Sequence, residues 1–361
     1  MKILTIIGAR PQFIKAATIS REILKREGVE EVIVHTGQHF DENMSDIFFT
    51  EMDIPKPNHH LHISSLSHGA MTGRMIEGIE KILIAEKPDW VLVYGDTNST
   101  LEGALAASKL HINIAHIEAG LRSFNMRMPE EQNRILTDKL SSLLFSPTSS
   151  GIENLKSEGF DVLSQQVHKS GDVMYDAALF YKEKAKAPVQ INPDIMSKPF
   201  VLATIHRAEN TDDLSRLTEI VSALNEISKQ VPVILPMHPR TKNILKEHNI
   251  ELNCLVIDPI GYLEMVYLLD RCQFVASDSG GVQKEAYFFH KQCLILRDET
   301  EWMELVEHGT NVIVGANKEK ILNAYENLSS ALDFKQEFYG NGQAASSILD
   351  TIIDTQFSIF A

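Results

Sequence analysis

The chain has 361 residues, 43% hydrophobic and 23% charged, with a formal net charge of −15. That length exceeds one ordinary core and suits two domains, while no stretch is apolar enough for a bilayer span and Met1 starts no cleavable signal pattern, so a cytoplasmic globular protein is expected. The acidic balance opposes a nucleic-acid partner, because gripping phosphate backbones takes clustered Lys and Arg; an anionic ligand must be held by a local pocket.

Lys2-Ile3-Leu4-Thr5-Ile6-Ile7 reads as a strand ending at Gly8, followed by a helix from near Pro11. The grammar repeats: a strand at Glu31 to Val34, a helix from Met71 to Ala85, a fully buried strand at Trp90 to Tyr94, a helix from Thr100 to Leu110, a strand at Asn113 to Ile117, and an apolar run around Leu143 to Phe145. A polar stretch from Lys184 to Lys198, with Pro188 and Pro193, suits a linker, and the domain boundary is expected there or slightly before it. Strands then restart at Phe200 to Thr204, Val233 to Leu235, Leu255 to Ile257, Phe274 to Ala276 and Cys293 to Leu296. Alternation of this kind predicts an α/β protein with parallel sheets, in two Rossmann-like halves facing a cleft. The tail from Ala344 to Ile353 looks amphipathic, as a helix that packs back on the body of the protein would be. Cys254, Cys272 and Cys293 form no CxxC pair and no metal set with His; they read as buried apolar residues in a reducing compartment.

In doubly wound sheets ligands sit beyond the carboxyl ends of the strands, so residues just after strands carry the most weight. In Gly8-Ala9-Arg10-Pro11, Arg10 can bond a phosphate bidentately at a helix start, although an ordinary strand-to-helix turn explains the segment equally well. Without a GxGxxG it signals no dinucleotide cofactor. Asp96 in Gly95-Asp96-Thr97 and Glu118 in His116-Ile117-Glu118 place carboxylates at the mouths of buried strands, where they can serve as acid or base. Glu130, in Pro129-Glu130-Glu131, is compatible with that role and with plain helix-start chemistry. His206 and His238 stand at equivalent strand ends in the second half. Asp278-Ser279-Gly280-Gly281 opens a helix whose exposed N–H groups and Ser279 hydroxyl make a phosphate cradle, with Glu285 placed for a ribose diol; a flexible capped turn is the plainer alternative. His59, His60 and His62 lack partners for a metal shell, which favours a solvated or partner-facing loop.

Gly8-Ala9-Arg10-Pro11, Thr36-Gly37-Gln38-His39, Gly95-Asp96-Thr97, Glu118-Ala119-Gly120-Leu121-Arg122, Pro129-Glu130-Glu131-x-Asn133-Arg134, Asp278-Ser279-Gly280-Gly281 and Arg297-Asp298-x-Thr300-Glu301, in this order over nearly the whole chain, resemble the bacterial non-hydrolysing UDP-N-acetylglucosamine 2-epimerases. The resemblance implies the glycosyltransferase-B arrangement, with one domain over 1–172 completed by a helix over 345–361 and a UDP-binding domain over 173–344. It also implies a homodimer, a UDP-sugar as substrate, and no metal or cofactor. The implied reaction removes the C2 proton and expels UDP from C1, leaving a 2-acetamidoglucal to which UDP adds back. Asp96, Glu118 and Glu130 are then the acid–base candidates, with His206 catalytic and on the diphosphate. Arg10, Ser279, Gly280 and Gly281 also bind the diphosphate, Glu285 the ribose, and Lys15, Gln38 and His238 complete the substrate-binding set.

Two departures bear on the sugar. Many members carry Thr-Glu-Arg-Pro-Glu where this chain has Thr300-Glu301-Trp302-Met303-Glu304, and Ser123 to Met128, with Arg127, is unusual. Both resemble the branch acting on UDP-2,3-diacetamido-2,3-dideoxyglucuronate and imply a changed sugar contact, with surface polysaccharide (lipopolysaccharide, O-antigen) as destination; UDP-N-acetylglucosamine is the alternative. Phe40-Asp41-Glu42-Asn43 lacks the Gln of members that bind a regulatory UDP-N-acetylglucosamine, which weakens an expectation of allostery. A glycosyltransferase of the same fold, a hydrolysing 2-epimerase and a non-catalytic UDP-sugar sensor are the rival readings.

Overall fold

In the computed structural model the described residues are 1–38, 53, 56–328 and 332–359, without the side chains of Arg10 and 356–359. His39 and the Phe40 to Asn43 segment, with its regulatory expectation, therefore lie outside the described residues, as does the Arg10 guanidinium. Two compact units divide the chain: Met1–Ala177 with Glu337–Ala361, and Ala178–Gln336.

The first unit runs β1 (Lys2–Ile7), α1 (Arg10–Ile23), β2 (Glu30–His35), β3 (His59–His60), α2 (His68–Glu86), β4 (Trp90–Tyr94), α3 (Asn98–Lys109), β5 (Asn113–Ile117), α4 (Pro129–Leu140), β6 (Leu143–Ser146), α5 (Ser149–Ser157), β7 (Gln166–Lys169) and α6 (Val173–Lys182), in which the division falls. The second runs α7 (Pro193–Met196), β8 (Val201–Thr204), α8 (Ala208–Thr211), α9 (Leu214–Ser228), β9 (Val233–Pro236), α10 (Pro239–Glu247), β10 (Leu255–Ile257), α11 (Tyr262–Arg271), β11 (Phe274–Ser277), α12 (Gly280–Phe288), β12 (Cys293–Ile295), α13 (Met303–Glu307), β13 (Asn311–Ile313) and α14 (Lys318–Glu326). Helix α15 (Ala344–Ile359) belongs to the first unit, where Arg26, just past the end of α1, bonds Asp350 at 2.7 Å and the Asp176 carboxylate caps it through the amides of Ala344 and Ala345.

The strand orders are β3-β2-β1-β4-β5-β6-β7 and β10-β9-β8-β11-β12-β13, with every pairing parallel. Each order reverses once, between β1 and β4 and between β8 and β11, which makes those two gaps the switch points where doubly wound sheets bind ligands. Helices on both faces bury the central strands, so β4 and β11 read as unbroken apolar runs. In the first unit Leu4, Ile6, Val91 and Val93 pack with Met75, Ile79 and Leu83 of α2 and Ala104 and Ala107 of α3. In the second, Val201, Ala203, Val233 and Leu235 pack with Leu217, Ile220, Leu224 and Ile227 of α9.

Two local features differ from the sequence expectation. Helix α3 begins at Asn98, two residues before Thr100, because the Thr97 hydroxyl caps it by accepting from the Thr100 amide. His59 and His60 form no solvated loop: they pair in parallel with β2, and the His60 ring stacks between His62, at 3.7 Å, and His35, at 4.3 Å. The column continues to Phe13, 5.2 Å beyond His35. Among the described residues no group of acids, His and Cys stands at metal-binding geometry, and no helix is long and apolar enough to cross a membrane.

Burial, aided by His60 and His62, pushes the His35 imidazole down from 6.5 to about 4. Only the folded chain favours the neutral ring, so the stability His35 contributes above pH ~6.5 is lost as pH falls toward ~4. His35→Phe keeps the stack and is expected to flatten the pH dependence of unfolding free energy in that window, by a limiting slope of about 1.4 kcal/mol per pH unit. Denaturant titrations at pH 4 to 7 measure it, and equal slopes in both chains would contradict the assignment.

Candidate active site

At the first switch point Gly8 must lack a side chain: a Cβ there would lie 2.1 Å from Thr36 Oγ1 and 2.2 Å from Ser99 Oγ. The Gln12 amide oxygen accepts the Gly8 and Ala9 N–H groups at 2.8 and 3.1 Å, and its nitrogen donates to Tyr94 O at 3.0 Å. These helix-start donors, expected from the sequence to favour an anion, are thus already engaged. Gln38 likewise turns inward, its oxygen accepting from the amide and hydroxyl of Ser99 at 3.0 and 2.8 Å.

The carboxylates after β4 and β5 each have a cation of their own. Asp96 accepts from Arg134 Nη2 at 2.6 Å, and Glu118 pairs with the Lys15 ammonium. Glu118 holds a left-handed backbone with φ of 75°, rare for a residue with a side chain and a mark of local strain. Gly95, also left-handed at 63°, lets both groups of the Lys15–Glu118 pair approach: a Cβ there would meet Lys15 Nζ at 3.0 Å and a Glu118 oxygen at 3.1 Å. Glu130 is exposed in the first turn of α4, whereas Glu131 is buried, accepting from the Ser123 and Phe124 amides and from Arg134 at 2.7 Å. Burial, which favours the neutral acid, is outweighed by those donors, and the Glu131 carboxyl is held below its ordinary range.

Behind this surface lies a network that the motif reading did not single out. His116 Nδ1 meets Asp138 at 2.7 Å; the same carboxylate accepts from Arg122 at 2.7 Å and from the Gly120 amide at 3.2 Å, and Arg122 reaches on to Glu158 at 2.7 Å. Asp138 is 22 residues from His116, so no local spacing links them. One sequence cue existed, an acid in the last turn of a helix, where the macrodipole disfavours it unless a partner compensates.

At the second switch point Asp278 is fully buried and accepts from the amides of His206 and Arg207 at 3.0 Å, while His206 Nδ1 stands 3.0 Å from its other oxygen. Burial is outweighed by the His206 contacts, which keep this carboxyl below its ordinary range. The arrangement turns the half-exposed His206 ring so that its free edge is Nε2. His238 is exposed and caps α10, Nδ1 accepting from the Arg240 amide at 3.2 Å, which leaves its hydrogen on Nε2. Ser279 caps α12, and Gly280 and Gly281 occupy its first two positions, whose N–H groups have no acceptor within a helix. Glu285 lies buried on the same helix. Trp302 is buried against this turn: its Nε1–H donates to Gly280 O at 2.9 Å, and the Lys284 ammonium lies 4.4 Å over its ring. Arg297 forks onto Glu301 at 3.1 and 3.2 Å, one of whose oxygens faces the space where a Gly280 side chain would stand.

Charged groups at the switch points of two doubly wound parallel sheets define an α/β enzyme of the two-Rossmann, glycosyltransferase-B class. Residues 21–353 match the family described as UDP-N-acetylglucosamine 2-epimerase, and the chain belongs to that family of isomerases. It is 57% identical over 352 residues to UDP-2,3-diacetamido-2,3-dideoxy-D-glucuronate 2-epimerase of Pseudomonas aeruginosa, covering 97% of this chain and 99% of that one. The crystal structure of Methanocaldococcus jannaschii UDP-GlcNAc 2-epimerase in complex with UDP-GlcNAc and UDP superposes with a TM-score of 0.87 at 42% identity, covering 98% and 99% of the two chains. That of the Neisseria meningitidis enzyme bound to UDP-GlcNAc gives 0.86 at 32%, covering 98% and 100%.

Asp138→Ala removes the buried acceptor shared by the His116 ring, the Gly120 amide and Arg122, leaving Arg122 only Glu158 as an ionic partner. It is expected to cost about 3–5 kcal/mol of unfolding free energy, read from the denaturant midpoint at unchanged slope. A midpoint like that of the native chain would show that the network carries no such weight.

Proposed function

We propose that the chain is a non-hydrolysing 2-epimerase whose substrate is UDP-2,3-diacetamido-2,3-dideoxyglucuronate, converted to its manno epimer. The observation that carries the choice of sugar is the 57% identity, over nearly the full length of both chains, to the Pseudomonas aeruginosa relative of that name. A base takes the C2 proton as the C1–O bond to UDP breaks, which forms the C1–C2 double bond of a 2-acetamidoglucal. Return of UDP to C1, with a proton delivered to the other face of C2, gives the epimer. Nothing is hydrolysed, and no electrons are gained or lost.

Proton transfer on two faces calls for at least two acid–base groups, and the candidates are Asp96, Glu118 and Glu130. His206, anchored by buried Asp278, presents Nε2 toward the leaving diphosphate. Ser279, Gly280 and Gly281 take the diphosphate at the start of α12, Glu285 takes the ribose, and Arg10, Lys15, Gln38 and His238 complete the binding set. In this reading residues 1–172 with 345–361 act on the sugar and 173–344 on the nucleotide. The enzyme works in the cytoplasm as a homodimer, without metal or cofactor, and feeds lipopolysaccharide or O-antigen synthesis. Trp302 acts on the sugar indirectly, through the Gly280 turn it supports. UDP-N-acetylglucosamine is the second reading, favoured by relatives of that name from Methanocaldococcus jannaschii at 43% and Escherichia coli at 33% identity.

Incubation of each UDP-sugar in deuterated water, followed by NMR, tests the proposal. Deuterium at C2 with UDP still attached, faster with the diacetamido-glucuronate, is the expected result. Free sugar plus UDP would indicate hydrolysis, preference for UDP-N-acetylglucosamine would transfer the assignment to the second reading, and no exchange with either would overturn it. Asp96→Asn and Glu118→Gln are each expected to lower kcat by about 10²–10⁴-fold, and a kcat within threefold of native would remove that residue from the acid–base set.

A further inference from the structure

From the last residue of β4 onward, three consecutive backbone carbonyls are each held by a side chain from another element. Tyr94 O accepts from Gln12 at 3.0 Å and Thr100 at 2.6 Å, Gly95 O from His116 Nε2 at 2.8 Å, and Asp96 O from Asn133 at 2.9 Å. The Gly95 amide donates to Ile117 O at 2.9 Å, so both polar backbone groups of this left-handed residue are fixed by β5. A carbonyl oxygen can only accept, so the hydrogen of the His116–Gly95 bond belongs to Nε2. The ring itself is fully buried and is braced from behind by Asp138, which Arg122 and the Gly120 amide hold in turn.

We propose that His116 is a positioning residue: its Nε2–H bond to Gly95 O, with Asp138 as brace, sets the turn that presents Asp96 and thereby governs the chemical step, leaving nucleotide binding untouched. The inference rests on the reading that Asp96 acts at the sugar carbon. His116 never meets the substrate in this scheme. It acts through a backbone oxygen, one residue before the carboxylate and beside the Lys15–Glu118 pair. Displacing a reacting group by about 1 Å costs on the order of 10²-fold in rate, so a lost bond at this turn is expected to register in kcat.

The test exploits the two ring nitrogens. A Gln side chain places its amide nitrogen near Nε2, and an Asn side chain places its own near Nδ1. His116→Gln therefore retains a donor for Gly95 O, and Asp138→Asn retains the ring and its Nε2–H. His116→Asn keeps only the contact with Asp138, and His116→Met, a second choice should that chain not fold, keeps neither. With the UDP-sugar and C2 exchange as readout, His116→Gln and Asp138→Asn are expected to hold kcat within about fivefold of native, whatever their melting temperatures. His116→Asn or His116→Met is expected to lose about 10²-fold in kcat with KM within threefold. A kcat that follows melting temperature across the set, or a loss confined to KM, overturns the inference and leaves His116 a purely structural residue. Absence of exchange in the native chain would instead overturn the functional reading beneath it.

Discussion

The carboxyl end of the first sheet is organised around one anion, the Asp138 carboxylate. Taking it out of water is costly, and the cost is offset only because both oxygens accept hydrogen bonds, one from His116 and the other from Arg122 and the Gly120 amide. Those bonds tie α4 to β5 and to the turn behind Glu118. Gly120 can turn there only as glycine, with φ of 80° and a hypothetical Cβ 2.4 Å from Gly151 O. The backbone that carries Glu118 thus runs between a buried ion network and the start of α5, with little freedom to relax its own left-handed conformation.

The two switch points treat the same problem, unsatisfied N–H groups at a helix start, in opposite ways. At α1 the Gln12 amide takes the Gly8 and Ala9 donors and hands its own hydrogens to Tyr94 O and Thr100, closing the turn onto the sheet. At α12 Ser279 satisfies only the Val282 amide, and two glycines keep the approach to the next donors clear of side chains. The first end is therefore an arrangement of paired side-chain charges and the second an opening of backbone donors. That difference supports assigning the diphosphate to the second unit.

Apolar runs bounded by Gly, Pro or Asp made β1, β4, β8 and β11 legible in the sequence, and with them the doubly wound class. β3 and β7 escaped because neither is apolar: His59–His60 is two residues long, and Gln166–Lys169 is a half-exposed edge. β13 is three residues long like β10 and β12, but it opens on Asn311 where they are apolar throughout, which leaves a shorter apolar run to read. In the site, motif order brought Asp96, Glu118, His206 and Ser279 into view because each follows a strand directly. Their partners were less visible: Arg134 is 38 residues from Asp96 and Lys15 is 103 from Glu118, so only the folded chain joins them. The adjacent pair Glu130 and Glu131 shows the limit of a motif. Helical phase turns Glu131 inward with Arg134 and Asp138, three and seven residues on, and leaves Glu130 facing out.

The two carboxylates at the first switch point differ in the kind of cation each faces. Arg134 cannot surrender a proton, so Asp96 meets a permanent charge, steadied by a second carboxylate on the same guanidinium, that of Glu131. Lys15 is an ammonium, a compact point charge with three rotatable donors. Its side chain is about as buried as that of Glu118, each 10% exposed, so little water intervenes between them. An elimination that is later reversed needs groups whose protonation can be exchanged between the forward and return steps. Asp96 therefore faces a fixed planar cation and Glu118 a compact ammonium, so the two carboxylates proposed for proton transfer on opposite faces stand in unlike surroundings before any substrate arrives.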